Sequence, residues 1–212
     1  MFDLDELAKL DGLISREVGE LLYDEAGRVQ NGNAIVELGS YKGKSTAYLA
    51  AGSLDSWEAP VFAVDAWSEE VSAWRNRVLE RLPSATFREF SRQLEAAGVR
   101  KHVTPIHSMT TVAADFWDVT YAETLPVGLL YIDGDHHYDA VLADYRAWHL
   151  YLTEDATIIF DDYDTDNNPG VLAAVNTLAE AGEIVNVSKR AGRLAVANPG
   201  PNLGKRIPGV TK

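Results

Sequence analysis

Apolar residues recur at helical spacing near the start of the chain, at Leu4, Leu7 and Leu10 and again at Leu13, Val18, Leu21 and Leu22. This spacing predicts two short helices, closed off by the turn cluster Asn31-Gly32-Asn33. The pattern then changes. Ala34-Ile35-Val36-Glu37-Leu38 is a compact apolar run, followed by Gly39 and a helical stretch from about Lys44 to Ala51. Pro60 to Asp65 reads as a second strand, ending in a carboxylate. A polar, Arg-rich stretch from about Glu69 to Ala97 has helical character and is broken at Pro83. His102 to His107 and Val127 to Ile132 read as the third and fourth strands, and Tyr138 to Tyr151 as a helix. Ala156 to Phe160 is a fifth strand and Gly170 to Ala181 a helix; Glu183 to Val187 and Arg193 to Ala197 form a closing hairpin. The tail from Asn198 onward is rich in Gly and Pro and is expected to be mobile.

Strands that alternate with helices predict an α/β fold, a mostly parallel sheet with helices on both faces. In such sheets ligands bind beyond the carboxyl ends of the strands, near the point where the strand order reverses. The residues to inspect therefore follow Leu38, Asp65, His107, Ile132 and Phe160.

Composition narrows the function. The 212 residues are 46% hydrophobic, enough for one sizeable core. A formal net charge of -13 repels phosphate backbones and disfavours a nucleic-acid partner. The chain has no cysteine, which excludes disulfides and thiolate-held zinc. The acidic start, Met1-Phe2-Asp3-Leu4-Asp5-Glu6, lacks the basic region of a signal peptide. No apolar run approaches the length of a membrane span, so a cytoplasmic protein without a membrane partner is expected.

The turn after the first strand, Glu37-Leu38-Gly39-Ser40-Tyr41-Lys42-Gly43-Lys44-Ser45-Thr46, superficially suggests a phosphate-binding loop. Its spacing is one residue short of G-x-x-x-x-G-K-[ST], and Glu37 would repel a triphosphate. The dinucleotide pattern G-x-G-x-x-G is absent. A sulfonium cofactor, positively charged and free of phosphate, suits close backbone approach at Gly39 with Glu37 nearby. Asp65 is placed to accept both ribose hydroxyls. Ser108, after the third strand, offers a polar atom to the adenine. Alone, Gly39 could be only a turn and Asp65 only a cap.

The other strand ends are carboxylate-rich: Ile132-Asp133-Gly134-Asp135-His136-His137-Tyr138-Asp139 and Phe160-Asp161-Asp162-Tyr163. If the two strands are neighbours, Asp133, Asp161 and Asp162 converge. Three clustered carboxylates repel one another unless a positive charge lies between them. A hard divalent cation, Mg²⁺, is the simplest candidate, since zinc would want more nitrogen or sulfur. Asp135-His136-His137 also matches the triplet of a phosphoesterase family, but that family's upstream Asp-rich motifs are missing.

Taken together, Val36-Glu37-Leu38-Gly39-Ser40, Val64-Asp65, Ile132-Asp133-Gly134-Asp135-His136-His137-Tyr138 and Phe160-Asp161-Asp162-Tyr163 resemble the class I S-adenosylmethionine-dependent methyltransferases. More narrowly they resemble the metal-dependent branch of sugar O-methyltransferases and cephalosporin-hydroxylase-like proteins. The resemblance covers residues 33–197. It implies a Rossmann-like sheet of seven strands in the order 3-2-1-4-5-7-6, the last strand antiparallel. It further implies S-adenosylmethionine at Glu37, Gly39, Ser40, Ser45, Asp65, Ser108 and Asp133, and Mg²⁺ on Asp133, Asp161 and Asp162. Some members carry Glu where Asp161 stands. His136 and, alternatively, Asp135 match the positions of general bases in such enzymes. The implied acceptor is a hydroxyl of a sugar or oligosaccharide, methylated mannosides among them. Residues 1–32 would then be a helical segment serving as a lid or a homodimer contact, and 198–212 a flexible tail. The competing readings are a catechol or phenol O-methyltransferase and a non-catalytic adenosylmethionine-binding module.

Overall fold

A computed structural model of the chain describes residues 1–68, 84–164 and 168–201. Two short helices, α1 (Leu4–Ala8) and α2 (Arg16–Ala26), open the chain, α2 being capped where Ser15 Oγ accepts from the Val18 amide. Then β1 (Ala34–Leu38), α3 (Lys44–Leu54), β2 (Val61–Asp65), α4 (Ala85–Ala96), β3 (Val103–His107) and α5 (Thr110–Thr120) follow. The remaining elements are β4 (Val127–Ile132), α6 (Tyr138–Trp148), β5 (Leu152–Phe160), α7 (Pro169–Glu180), β6 (Ile184–Arg190) and β7 (Leu194–Pro199).

The seven strands form one sheet in the order β3-β2-β1-β4-β5-β7-β6. β1 to β5 pair in parallel, and β7 enters antiparallel between β5 and β6. This is the Rossmann-like methyltransferase fold that the motifs imply. Because side chains alternate across a strand, each strand feeds two cores. Val36, Leu38, Val64, Leu130 and Ile132 pack with α5, α6 and α7 around Trp117 and Trp148. Ile35, Ala63, Leu129, Tyr131 and Ile159 pack with α2, α3 and α4 around Tyr48 and Phe90. Leu7, Ile14, Val18 and Leu22 share this second core, so the opening helices are built into the domain.

Several boundaries differ from expectation. The apolar pattern does not announce α5. Its inward face is only Ala113, Ala114 and Trp117, while Val112, Phe116 and Val119 stand exposed, so apolar residues on both sides hide the helical period. β5 starts earlier, at Leu152, through the polar Thr153-Glu154-Asp155. The Gly- and Pro-rich tail begins within β7, which runs through Asn198 to Pro199. The stretch at 69–83 and the tail at 202–212 lie outside the described residues. Among the described residues no helix is long and apolar enough to cross a membrane.

Candidate active site

Parallel register lines up the strand ends. Leu38 pairs with Val64 on one side and Ile132 on the other, and Ile132 with Phe160. The next residues form a row across the sheet: Asp65, Gly39, Asp133, Asp161. Backbone bonds extend the ladder one step, from the Gly39 amide to Val64 O (2.8 Å), from Asp133 to Leu38 O (2.8 Å) and from Asp161 to Ile132 O (3.0 Å). Beyond this row lies a cavity of about 580 Å³, within the range of roughly 300–1,000 Å³ usual for small-molecule sites.

The β1 side is made of close backbone. Gly39 has φ +91°, and a Cβ there would lie 2.1 Å from the carbonyl oxygen of Asp133. Only glycine lets the two strand ends meet. Ser40, Tyr41, Lys42, Gly43, Lys44 and Ser45 continue the cavity wall. Glu37 lies fully buried beneath this turn and does not reach the cavity; its Oε2 accepts from the Thr46 hydroxyl. Burial raises its carboxyl to about 7, with the hydroxyls of Ser45 and Thr46 partly offsetting it. Oε1 has no hydrogen-bond partner among the described residues.

Asp65 lines the cavity at the end of β2. Its carboxylate accepts the backbone N–H of Tyr41 (2.8 Å) and of Trp67 (2.6 Å), leaving lone pairs for a ligand. Trp67 is 3% exposed and packs edge-on against Phe87 at 4.8 Å, so its ring belongs to the core. Ser108 does not line the cavity; its amide bonds Asp65 O at 3.0 Å and ties β3 to β2.

The N-terminal segment supplies another wall, Gly12, Leu13 and Ile14, with Leu13 80% exposed. Buried Gln93 on α4 holds it there. The Asp11 amide donates to Gln93 Oε1 (2.6 Å), and Gln93 Nε2 donates to Asp11 O (2.8 Å) and Lys42 O (2.7 Å). Lys42 also pairs with Asp11 at 2.6 Å.

At the β4 and β5 ends the carboxylates converge. The Tyr131 hydroxyl lies 2.7 Å from Asp161 Oδ2 and 3.1 Å from Asp133 Oδ2. Burial and the Asp161 charge raise the Asp133 carboxyl to about 7. Asp162, in a left-handed backbone conformation (φ +55°), lines the cavity with Asp133, and burial raises its carboxyl too. His136 lies between them, Nε2 3.7 Å from Asp133 Oδ1 and Nδ1 3.5 Å from Asp162 Oδ2. The Asp133 carboxylate beside it raises its pKa, more than offsetting partial burial. Asp135 turns away: its side chain is 58% exposed, bonds the ring and amide of His137, and does not line the cavity.

Residues 36–163, more than half of the chain, match the methyltransferase-domain family. The chain belongs to that family. As a methyltransferase of this fold it takes S-adenosylmethionine as cofactor. It is 42% identical over 59 residues to the uncharacterised protein R132 of Acanthamoeba polyphaga mimivirus, a match spanning 26% of this chain and only 27% of that protein. The fold matches cofactor-bound Rv0187 of Mycobacterium tuberculosis with a TM-score of 0.66, at 18% identity over 92% of this chain and 86% of that one. It also matches CalS11, a calicheamicin methyltransferase, with a TM-score of 0.62 at 16% identity, covering 85% of this methyltransferase and 76% of CalS11.

The methyltransferase departs from expectation at its carboxylates. The Mg²⁺ site expected on Asp133, Asp161 and Asp162 does not fit, because a cation already stands there. Arg193 donates from Nε to Asp161 Oδ1 (2.7 Å) and from Nη2 to Oδ2 (2.5 Å), and its Nη1 lies 3.1 Å from Asp162 Oδ1. Burial works against the guanidinium charge, but Asp161 and Asp162 more than offset it and raise its pKa. Among the described residues no group of three or more His, Asp or Glu is arranged to hold a metal ion. Sequence reasoning misses Arg193 and Tyr131, and names no residue of the opening segment for the wall that Gly12, Leu13 and Ile14 supply. The signal for Arg193 is the closing hairpin itself. Antiparallel pairing of Phe160 with Ala195, carried two residues further, sets Arg193 opposite Asp162.

Proposed function

We propose that this methyltransferase moves the methyl group of S-adenosylmethionine onto a hydroxyl oxygen, and that the hydroxyl belongs to a sugar or oligosaccharide. The observation that carries the reading is His136, which lines the same cavity as Gly39 and Asp65 and has a carboxylate on either side. Methyl transfer is an in-line displacement. The acceptor oxygen bonds to the methyl carbon, the carbon–sulfur bond breaks, and its electron pair leaves on sulfur as S-adenosylhomocysteine. The hydroxyl proton must also leave. His136 takes it, and Asp133 and Asp162 stabilise the resulting imidazolium. Asp135 faces solvent and His137, so His136 is the base of choice. A weakly acidic sugar hydroxyl needs such a base more than a phenol does.

S-adenosylmethionine, when bound, would be held by Asp65, whose remaining lone pairs can accept the ribose hydroxyls, and by the turn that carries Ser40 and Ser45. Glu37 acts from beneath the turn through its bond to Thr46, and Ser108 through its tie to Asp65. Leu13 and Ile14 cover the acceptor. CalS11 is a TDP-rhamnose 3'-O-methyltransferase, a sugar acceptor on the same fold. Mg²⁺ has no step in this reading, since Arg193 takes up the carboxylates it would need.

The test offers mannosides, partly methylated mannosides and catechols with S-adenosylmethionine and measures S-adenosylhomocysteine release. Turnover on a sugar with little on catechol is expected. Good turnover on catechol and none on any sugar would transfer the assignment to the phenol class.

A further inference from the structure

We infer that Arg193 is the resident cation of this active site, and that methyl transfer here runs without a divalent metal ion. The inference rests on the methyltransferase reading but concerns a different property of the site. An ionised carboxylate offers about four lone-pair positions, and at Asp161 all four are used. Oδ1 accepts Arg193 Nε (2.7 Å) and the Asp162 amide (2.7 Å). Oδ2 accepts Arg193 Nη2 (2.5 Å) and the Tyr131 hydroxyl (2.7 Å). A metal ion would have to displace a bidentate guanidinium, the geometry in which Arg binds carboxylate most strongly. Asp161 is 1% exposed, and a buried carboxylate stripped of its partner is strongly destabilising.

Nor is Arg193 a passing surface side chain. Ala191 (φ +46°) and Gly192 (φ +72°) reverse the chain between β6 and β7. The Arg193 carbonyl then accepts from the Tyr163 amide at 2.7 Å. The backbone is therefore fastened on the very segment whose side chains the guanidinium pairs. Its third nitrogen, Nη1, holds Asp162 at 3.1 Å, so one residue bridges both carboxylates that follow β5. Asp133 has His136 as its own neighbour (3.7 Å). Every carboxylate at these strand ends thus has a basic side chain beside it.

The experiment reads metal binding directly and needs no acceptor. Chelator-treated protein saturated with S-adenosylhomocysteine is titrated with Mn²⁺, and free Mn²⁺ is followed by electron paramagnetic resonance. Wild type is expected to show no site tighter than about 1 mM, the weak end of biological oxygen-ligand sites. Arg193→Ala frees lone pairs on Asp161 and Asp162 and should bind Mn²⁺ at least about tenfold more tightly, a change of about 1.4 kcal/mol. Arg193→Lys keeps a positive charge there and should bind as weakly as wild type. If the alanine variant does not fold, Arg193→Gln takes its place. One Mn²⁺ per wild-type chain bound more tightly than about 1 mM would overturn the inference. So would an Ala or Gln variant that binds no better than wild type. Failure to methylate any sugar would refute the acceptor assignment and leave these binding results untouched.

Discussion

The two halves of the cavity are built by different means. On the β1 side the wall is continuous chain, residues 39–45, shaped by the close backbone turn at Gly39. On the β4 and β5 side it is a set of side chains from distant segments, Asp133, His136, Asp162 and Arg193, backed by the buried Tyr131 and Asp161. The first half depends on where the backbone can go. The second depends on which charges face one another. A motif is therefore a good guide to the first and an incomplete one to the second.

Substitutions on each side should separate these two kinds of dependence. The largest effect is expected at His136. His136→Ala should lower turnover by about 10² to 10⁴, roughly 3 to 5 kcal/mol of barrier, with cofactor affinity unchanged. Asp135→Asn, at the exposed neighbour, should stay within about twofold. Steady-state kinetics on the accepted sugar, beside calorimetric titration of S-adenosylhomocysteine, checks both. An inactive Asp135→Asn with a fully active His136→Ala would exchange their roles.

Gly39→Ala attacks the backbone half. Its Cβ would meet the Asp133 carbonyl at 2.1 Å, at a φ of +91°. The expected cost is roughly 2–4 kcal/mol of stability together with lost cofactor binding. Urea unfolding with and without S-adenosylhomocysteine measures both, and an unchanged midpoint would show that the strand ends are not in forced contact.

Glu37 supplies a smaller, pH-dependent effect. Its folded carboxyl is raised to about 7 from an ordinary value of 4.5, so between those values the folded state binds the extra proton. The contribution to stability is fully present below about pH 4.5 and is lost as pH rises through about 7, up to about 3 kcal/mol. Glu37→Gln should flatten that fall. The readout is the wild-type minus variant difference in unfolding free energy from pH 4.5 to 8, because Asp133 and Asp144 titrate in the same direction. A difference that does not change with pH would mean that Glu37 is already ionised at acid pH.

The same division separates what is legible in the amino-acid sequence from what is not. β1 and β4 are legible to the residue because short apolar runs between turn signals have few alternatives. Their order follows from the motif resemblance. The row Asp65, Gly39, Asp133, Asp161 is legible because parallel register carries strand ends to one level. Arg193 is harder to read, because its partner lies 32 positions earlier in the chain and only the antiparallel pairing of β7 with β5 brings the two together. α5 is hidden for another reason: apolar on its exposed side as well as its buried one, it has no contrast to read. Trp67, two residues past Asp65, has no periodicity around it to say which way its ring turns; burial against Phe87 and Phe90 places it in the core.

Gln93 has a kinetic meaning as well as a static one. Its single amide closes loops of 82 and 51 residues, fastening the segment before Leu13 and the Lys42 turn to the same helix. The Lys42–Asp11 ion pair closes the third side, so each segment is tied to both of the others and the three have few ways to fray one at a time. Amide hydrogens on this rim, that of Asp11 in particular, should exchange with solvent as one slow group although they belong to loops. The mouth of the cavity is in this sense a cooperative unit assembled from three stretches of chain, and its rate of opening is a property that all three set together.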